Sequence, residues 1–240
     1  MNLQQRIDAA SKIVLFGGAG LSTESGIPDY RSVDGLYAQK YAYPPERMLS
    51  HSFFMAHPAE FYEFYKDKLL HLEAQPNPAH KKLAALEAAG KLLGIVTQNV
   101  DGLHQAAGSR AVFELHGSVH RNHCMQCGKP YDGAFVARSE RVPTCSCGGI
   151  VRPDVVLYEE GLNDAVVRGA IGVIQNADLL IVAGTSLAVY PAAGLLQYYR
   201  GGNLVLINRD TTPADADADL VLHGNVGELL EKITIGEVGK

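Results

Sequence analysis

The 240-residue sequence predicts an α/β fold: a doubly wound, Rossmann-like parallel sheet with a smaller zinc-binding and helical module. Three observations predict it. Short apolar runs rich in Val and Ile alternate with segments whose apolar residues recur at helical spacing. One run, "DLLIVAG" (178–184), is apolar almost throughout, as suits a central strand buried on both faces. Another, "KIVLF" (12–16), opens directly into Gly17-Gly18-Ala19-Gly20, as a strand feeds a phosphate-binding turn.

In chain order, strands are expected at "KIVLF" (12–16), "LGIVTQ" (93–98), "VFEL" (112–115), "VVLY" (155–158), "DLLIVAG" (178–184), "NLVLIN" (203–208) and "ADLVLH" (218–223). Each is short, apolar and bounded by turn formers. Between them "PAHKKLAALEAAGK", "NDAVVRGAIGVIQNA" and "YPAAGLLQYYR" read as helices, with Gly or Asn near their ends. Two segments break the alternation. Residues 36–76 are aromatic and partly helical, with Phe61, Phe64 and Tyr65 on one side of "PAEFYEFYKDKLLHLEA". Residues 119–152 hold all the cysteines and read as loops and short strands. The expected domains are therefore 1–35, 77–118 and 153–240 for the sheet, with 36–76 and 119–152 forming the small one.

Hydrophobic residues make up 47% of the chain and charged ones 20%, enough apolar material to bury a core. The net charge of −5 comes with no long basic run, which argues against wrapping nucleic acid. No apolar stretch is long enough to span a bilayer. "IVLFGGAG" is too short for a signal core and lacks a cleavage site. The expectation is a cytoplasmic protein without membrane contact, whose four cysteines are metal ligands rather than disulfides.

Those cysteines are Cys124-x₂-Cys127 and Cys145-x-Cys147, with seventeen residues between the pairs. Two close pairs on turns, each followed by glycine, can place four thiolates around Zn²⁺. His120 and His123 are near enough to substitute, but four thiolates complete the shell. A closed shell leaves no place for a reacting water, so the zinc is read as structural.

The glycine turn is unlike that of a hydride-transferring dehydrogenase. Its third glycine is missing, since Thr23 stands sixth from Gly18. Asp34, the nearest acid, falls in a loop. Gly184, Thr185 and Ser186 end the strongest strand, where open α/β sheets bind ligands and where a following helix start would favour phosphate. Asn208 ends another strand and suits a ribose hydroxyl. "TQNVDGLHQAAG" (97–108) packs Gln98, Asn99, Asp101 and His104 behind a strand, and "ELHGS" adds His116. A histidine at such a place can serve as general base near neutral pH; His104, opening a helix, reads as structural.

Together "GAGLSTESGIPDYRS", "TQNVDGLHQAAG", "ELHGS", the paired cysteines, "RPDVVLYEE", "GTSLAVYPAAG" and "INRD" resemble the sirtuins in order and content, from residue 12 to about 230. The resemblance implies an NAD-dependent protein-lysine deacylase. NAD would be cleaved as a co-substrate, and acetylated lysine on proteins would be the partner. Gly18, Ala19 and Gly20 would admit the phosphates, with Thr23, Tyr30 and Arg31 in the cofactor loop. Gln98, Asn99 and Asp101 would receive nicotinamide and its ribose. Thr185, Ser186, Asn208, Arg209 and Val226 would hold the adenosine half, beside Gly184. His116 matches the family's base, with Asn99 and Asp101 in the catalytic set. It would activate a ribose hydroxyl after the acyl oxygen has displaced nicotinamide, giving free lysine and O-acyl-ADP-ribose.

Val100, Val156 and Tyr158 would face substrate, the peptide adding as a strand to "VVLY". The family often has Phe-Gly-Glu where this chain has Tyr158-Glu159-Glu160. Members that remove acidic acyl groups carry Tyr-x-x-Arg; here Tyr65-x-x-Lys68 lacks the arginine fork, which favours acetyl and other uncharged groups. Phe53, Phe54, Phe61, Phe64 and Tyr65 could line an acyl channel, although packing is their simpler role. A protein ADP-ribosyltransferase and a non-catalytic NAD-binding regulator remain as alternatives.

Overall fold

A computed structural model describes residues 1–30 and 43–236. Arg31 and Asp34 lie outside the described residues. The chain opens with a helix absent from the sequence expectation, α1 (Leu3–Ala9), capped by Asn2 and burying Leu3 and Ile7. Strand β1 (Ile13–Gly17) is buried at every position and ends in two single-turn 3₁₀ segments, Ala19–Leu21 and Thr23–Ser25.

The aromatic segment supplies α2 (Pro45–Met48), α3 (His51–Ala56) and α4 (Pro58–Lys68). Helix α5 (Pro78–Ala88) follows, capped by Asn77, then β2 (Leu92–Thr97), α6 (Leu103–Ala106) and β3 (Val112–Glu114). The cysteine region contributes β4 (Gly117–Cys124), β5 (Pro130–Asp132), α7 (Gly133–Arg138) and β6 (Val151–Val155). Last come α8 (Asp164–Asn176), β7 (Leu179–Ala183), a 3₁₀ helix (Ala192–Tyr198), β8 (Leu204–Asn208), β9 (Leu220–His223) and α9 (Val226–Glu231).

Among the described residues, six strands form a parallel sheet in the order β3-β2-β1-β7-β8-β9. The chain winds outward from β1 to β3, then returns to β7 and winds the other way. The order reverses between β1 and β7, and the crevice at the carboxyl ends of such a pair is where open sheets bind ligands. Apolar layers cover both faces: Ile13, Leu83 and Ile181 belong to one core, Val14, Ile174 and Val182 to the other. Burial on both faces is what makes these strands continuous apolar runs.

A second, antiparallel sheet has the order β5-β4-β6. It starts at Gly117 and ends at Val155, reaching past both ends of the 119–152 segment expected to form a module. A third apolar core joins Phe54, Phe61, Tyr62 and Tyr65 of α3 and α4 to Val119 and Val155 of this sheet. Two expectations are corrected. The strand placed at 155–158 lies earlier and stops at Val155, because its edge pairs with β4 and contains Arg152, Pro153 and Asp154. The helix read in "YPAAGLLQYYR" is 3₁₀ and begins only at Ala192, so no helix start stands beside Ser186. No helix of the described residues is long and apolar enough to cross a membrane.

Candidate active site

The turns after β1 and β7 interlock at the point where strand order reverses. The Gly20 amide donates to the Gly184 carbonyl at 2.8 Å, and the Gly18 amide to that of Ala183 at 3.1 Å. A Cβ on Gly18 would lie 2.7 Å from that of Thr185, and one on Gly20 2.9 Å from the Gly184 Cα. Those glycines are required first by backbone-to-backbone approach, and the shallow turn they leave is open to a ligand phosphate.

These turns floor a cavity of ≈ 440 Å³ that runs from the β8 end to the small sheet, a volume typical of sites for organic ligands. Gly18, Ala19, Gly20 and Tyr30 lie on its wall, as do Gly184, Thr185 and Ser186. Asn208, Arg209 and Val226 line one end. Gln98, Asn99, Val100 and His116 line the middle, and Val156 and Tyr158 the other end. One chain thus brings most of the residues picked from sequence to a single surface.

Hydrogen bonds fix the central groups. The Gln98 amide nitrogen donates to Thr185 Oγ1 at 2.9 Å, tying the β2 end to the β7 end. His116 Nδ1 lies 2.9 Å from the Gln98 carbonyl oxygen. A carbonyl only accepts, so Nδ1 carries the proton and Nε2 is left as a bare base. Burial lowers the His116 pKa, against the opposing pull of that carbonyl, so the neutral form persists to more acidic pH than for a free imidazole.

Two picks fall off the wall. Asp101 stands behind it because both its oxygens are taken: Oδ2 accepts from Ser22 Oγ at 2.7 Å and Oδ1 from the Leu103 amide at 2.9 Å. Thr23 turns its hydroxyl onto the Gly20 carbonyl within its own loop. Ser22 was missed by the sequence reading. It is 1% exposed, and its hydroxyl also accepts from Asn99 Nδ2 at 3.0 Å, bridging Asn99 to Asp101. A serine in a loop full of hydroxyls carries no distinguishing signal. Behind Asp101, the His104 ring lies 4.8 Å from that of His80, tilted 59° to it, both buried. Burial is the main cause that pushes their pKa values down, to about 3 for His104 and about 4 for His80.

At the β8 end, Asn208 Oδ1 accepts from the Thr185 amide, while its Nδ2 is buried without a protein partner. That orphaned donor, 6% of the residue being exposed, could be satisfied by an acceptor on a bound ligand. Arg209 is already engaged: its guanidinium meets Asp29 Oδ2 at 2.8 Å, clasping the cofactor loop to the sheet.

At the opposite end, Tyr158 offers no main-chain edge for a peptide, contrary to expectation. Its N–H donates to Leu49 and its carbonyl accepts from His51, a parallel bridge to the α3 start. The Val156 amide is likewise taken, by the His116 carbonyl. Phe53, Phe54, Phe61, Phe64 and Tyr65 belong to the core behind; Leu49, Leu69 and Leu157 line the cavity in their stead. Lys68 pairs with Asp67 at 2.8 Å.

The cysteine sulfurs form a separate centre, all within 4.8 Å of one another. Cys124 and Cys147 are 3.5 Å apart, Cys127 and Cys145 3.6 Å. Zn–S bonds of about 2.3 Å in a tetrahedron set sulfurs about 3.8 Å apart, so the four thiolates fit Zn²⁺. The one-residue spacer of Cys145-x-Cys147 does not prevent convergence. The Cys147 amide and the Tyr131 hydroxyl, 3.0 Å away, are the largest causes pulling the Cys145 thiol down to about 6.

A family model described as Sir2 family matches residues 18–191. An NAD-dependent protein deacetylase of Clostridium acetobutylicum is 55% identical, the match covering 96% of each chain. One of Clostridium perfringens is 58% identical with the same coverage. Among solved structures, a Sir2 protein with a deacetylated p53 peptide and 3'-O-acetyl-ADP-ribose superposes with a TM-score of 0.87 at 40% identity, covering 95% of this chain and 94% of that one. A Sir2–p53 peptide–NAD⁺ complex gives 0.83 at 39%, covering 97% of both.

Proposed function

Since the chain belongs to the Sir2 family, we propose that it is an NAD-dependent protein-lysine deacetylase with His116 as its base. The observation that carries the role of His116 is its tautomer: with Nδ1 bound to the Gln98 carbonyl, Nε2 at the cavity wall is free to take a proton. NAD is a substrate here, supplying an anomeric carbon from which nicotinamide can leave.

The interlocked glycine turns, with no side chain to intrude, give the pyrophosphate a shallow floor to lie on. Gln98 and Asn99 orient the nicotinamide riboside, and Asp101 positions Asn99 through Ser22 rather than by touching the ligand. Thr185, Ser186, Asn208 and Val226 hold the adenosine half, and Arg209 with Asp29 fastens the cofactor loop over it. Tyr30, on the wall, helps keep water from the reacting carbon. His116 Nε2 removes the proton of a ribose hydroxyl, so that this oxygen can receive the acyl group. Holding two reactants in one cavity supplies much of the acceleration through orientation.

The sheet domain holds NAD. The helical segment and the zinc-stapled sheet form a second domain that presents Val156 and Tyr158 to acyl-lysine, beside Val100. Leu49, Leu69 and Leu157 give the acyl end an apolar lining, which suits acetyl and other uncharged groups. Purified protein with NAD should release nicotinamide only when an acetyl-lysine peptide is added, and H116A, lacking the base needed after that step, should lose formation of free-lysine peptide and O-acetyl-ADP-ribose while keeping its fold by circular dichroism. Formation of free-lysine peptide at an undiminished rate by H116A would remove the base from the reaction.

A further inference from the structure

The turn after β6 carries two adjacent carboxylates with opposite fates. Glu160 is neutralised: its oxygens meet Arg152 at 2.9 Å, His51 Nδ1 at 2.7 Å and the Leu157 amide at 2.9 Å. Burial raises its carboxyl pKa, but these bonds outweigh that and hold it below the usual range. Glu159 is exposed, lines the cavity beside Tyr158, and has no ion-pair partner among the described residues. Its backbone sits at φ 77°, a left-handed conformation that glycine takes freely and a branched-at-Cα residue does not.

What holds Glu159 there is Ser52, in the first turn of α3. The Ser52 amide and hydroxyl each donate to the Glu159 carboxylate at 2.9 Å. The two bonds fix the position of the charge without neutralising it. The same wall contains Val156 and His116, which puts this carboxylate on the surface along which an acyl-lysine peptide would reach the base.

We infer that Glu159 is a specificity residue, a fixed negative charge without an ion-pair partner among the described residues, at the peptide end of the cavity, that selects acyl-lysines flanked by Lys or Arg. The inference rests on the deacetylase reading and deepens it, by naming the chemistry of the preferred substrate sequence. A single exposed charge pair changes an equilibrium modestly, by about two- to fivefold, and less as salt screens it. The preference is thus a bias among substrates rather than a gate.

The experiment compares kcat/KM for acetyl-lysine peptides that differ only in carrying Lys or Gln at the three positions on either side. The chain should favour a Lys-flanked peptide by about two- to fivefold at low ionic strength, with the ratio falling toward one in added salt. E159Q keeps an oxygen for Ser52 and should abolish the ratio at any salt; E159G, which relieves the backbone, should do the same. A cap-only role for Glu159 would instead shift thermal stability and change both peptides equally, leaving the ratio intact, and that result would overturn the inference. So would equal use of both peptides by the unaltered chain. Failure to turn over any acetyl peptide would overturn the deacetylase reading itself, and the inference with it.

Discussion

Replacing Gly117 by alanine should cripple both the fold and the reaction, and the backbone geometry sets the size of the effect. Gly117 follows His116 and opens β4 at φ 78°, in the left-handed region. A Cβ there would lie 1.9 Å from the Asp154 carbonyl oxygen and 3.2 Å from the Val155 Cα, both backbone atoms of β6. A side chain could swing away, but a paired strand must slide some 1.5 Å to reach the 3.4 Å of ordinary contact. The left-handed backbone costs about 1–2 kcal/mol and the collision about 1–3 more. At about 2–4 °C per kcal/mol for a chain this size, the melting temperature should drop by roughly 4–20 °C. G90A is the control: Gly90 has φ 71°, but nothing lies within 4 Å of its added Cβ. It incurs the backbone cost alone, about 2–8 °C. Because the His116 carbonyl is bonded to the Val156 amide, sliding β6 also moves the base. G117A should lose about a hundredfold in kcat/KM, as about 1 Å of misplacement does, while G90A stays active. Thermal denaturation with an assay of free-lysine peptide formation reads both. Equal melting temperatures and equal activity for the two variants would refute the argument that backbone approach fixes this glycine.

Three further outcomes follow from the site. Buried His104 has its folded pKa pushed down to about 3, below its unfolded value of about 6.5. The unfolded chain therefore binds the proton first, and stability present above pH 6.5 is lost as pH falls: about 2 kcal/mol by pH 5 from this residue. H104L, which also removes two unpartnered ring nitrogens, should flatten that acid slope in urea titrations; an unchanged slope would exclude His104 as its source. S22A deletes the hydroxyl between Asn99 and Asp101 and should cost about tenfold or more in kcat/KM, with little change in melting temperature; wild-type kinetics would dismiss the bridge. C145S removes one thiolate from the four, so metal analysis should show less than one zinc per chain and the small sheet should melt first; full zinc content would move the ligand set elsewhere.

Legibility followed burial. Strands β1 and β7 are buried at all five positions, so each reads as an unbroken apolar run, and the turns between them fell at their ends. Strand β4 hides because exposed His120, Arg121 and His123 interrupt it and its register slips between Ser118 and Asn122. Strand β6 hides because "VRPDV" puts Pro153 and two charges inside an edge. Helix α1 buries only Leu3 and Ile7, too few for a periodic pattern. In the site, the turn glycines, Asn99 and His116 were legible because motifs are local in sequence. Contacts across the chain were not: Ser22 with Asp101, Asp29 with Arg209, and Ser52 with Glu159 join residues far apart that no spacing rule connects. The same blindness placed Asp101 on the wall and gave Tyr158 a free edge.

The central claim is that the acyl group leaves lysine onto the ribose of NAD. The most direct measurement follows the acyl oxygen itself, using a peptide with N-acetyl-lysine labelled with oxygen-18 at the carbonyl, NAD in ordinary water, and mass spectrometry of every product. The account predicts nicotinamide, free lysine peptide and O-acetyl-ADP-ribose in equal amounts, with the label in the nucleotide product because that oxygen bonds to the ribose. Labelled free acetate formed while NAD remains intact would contradict it.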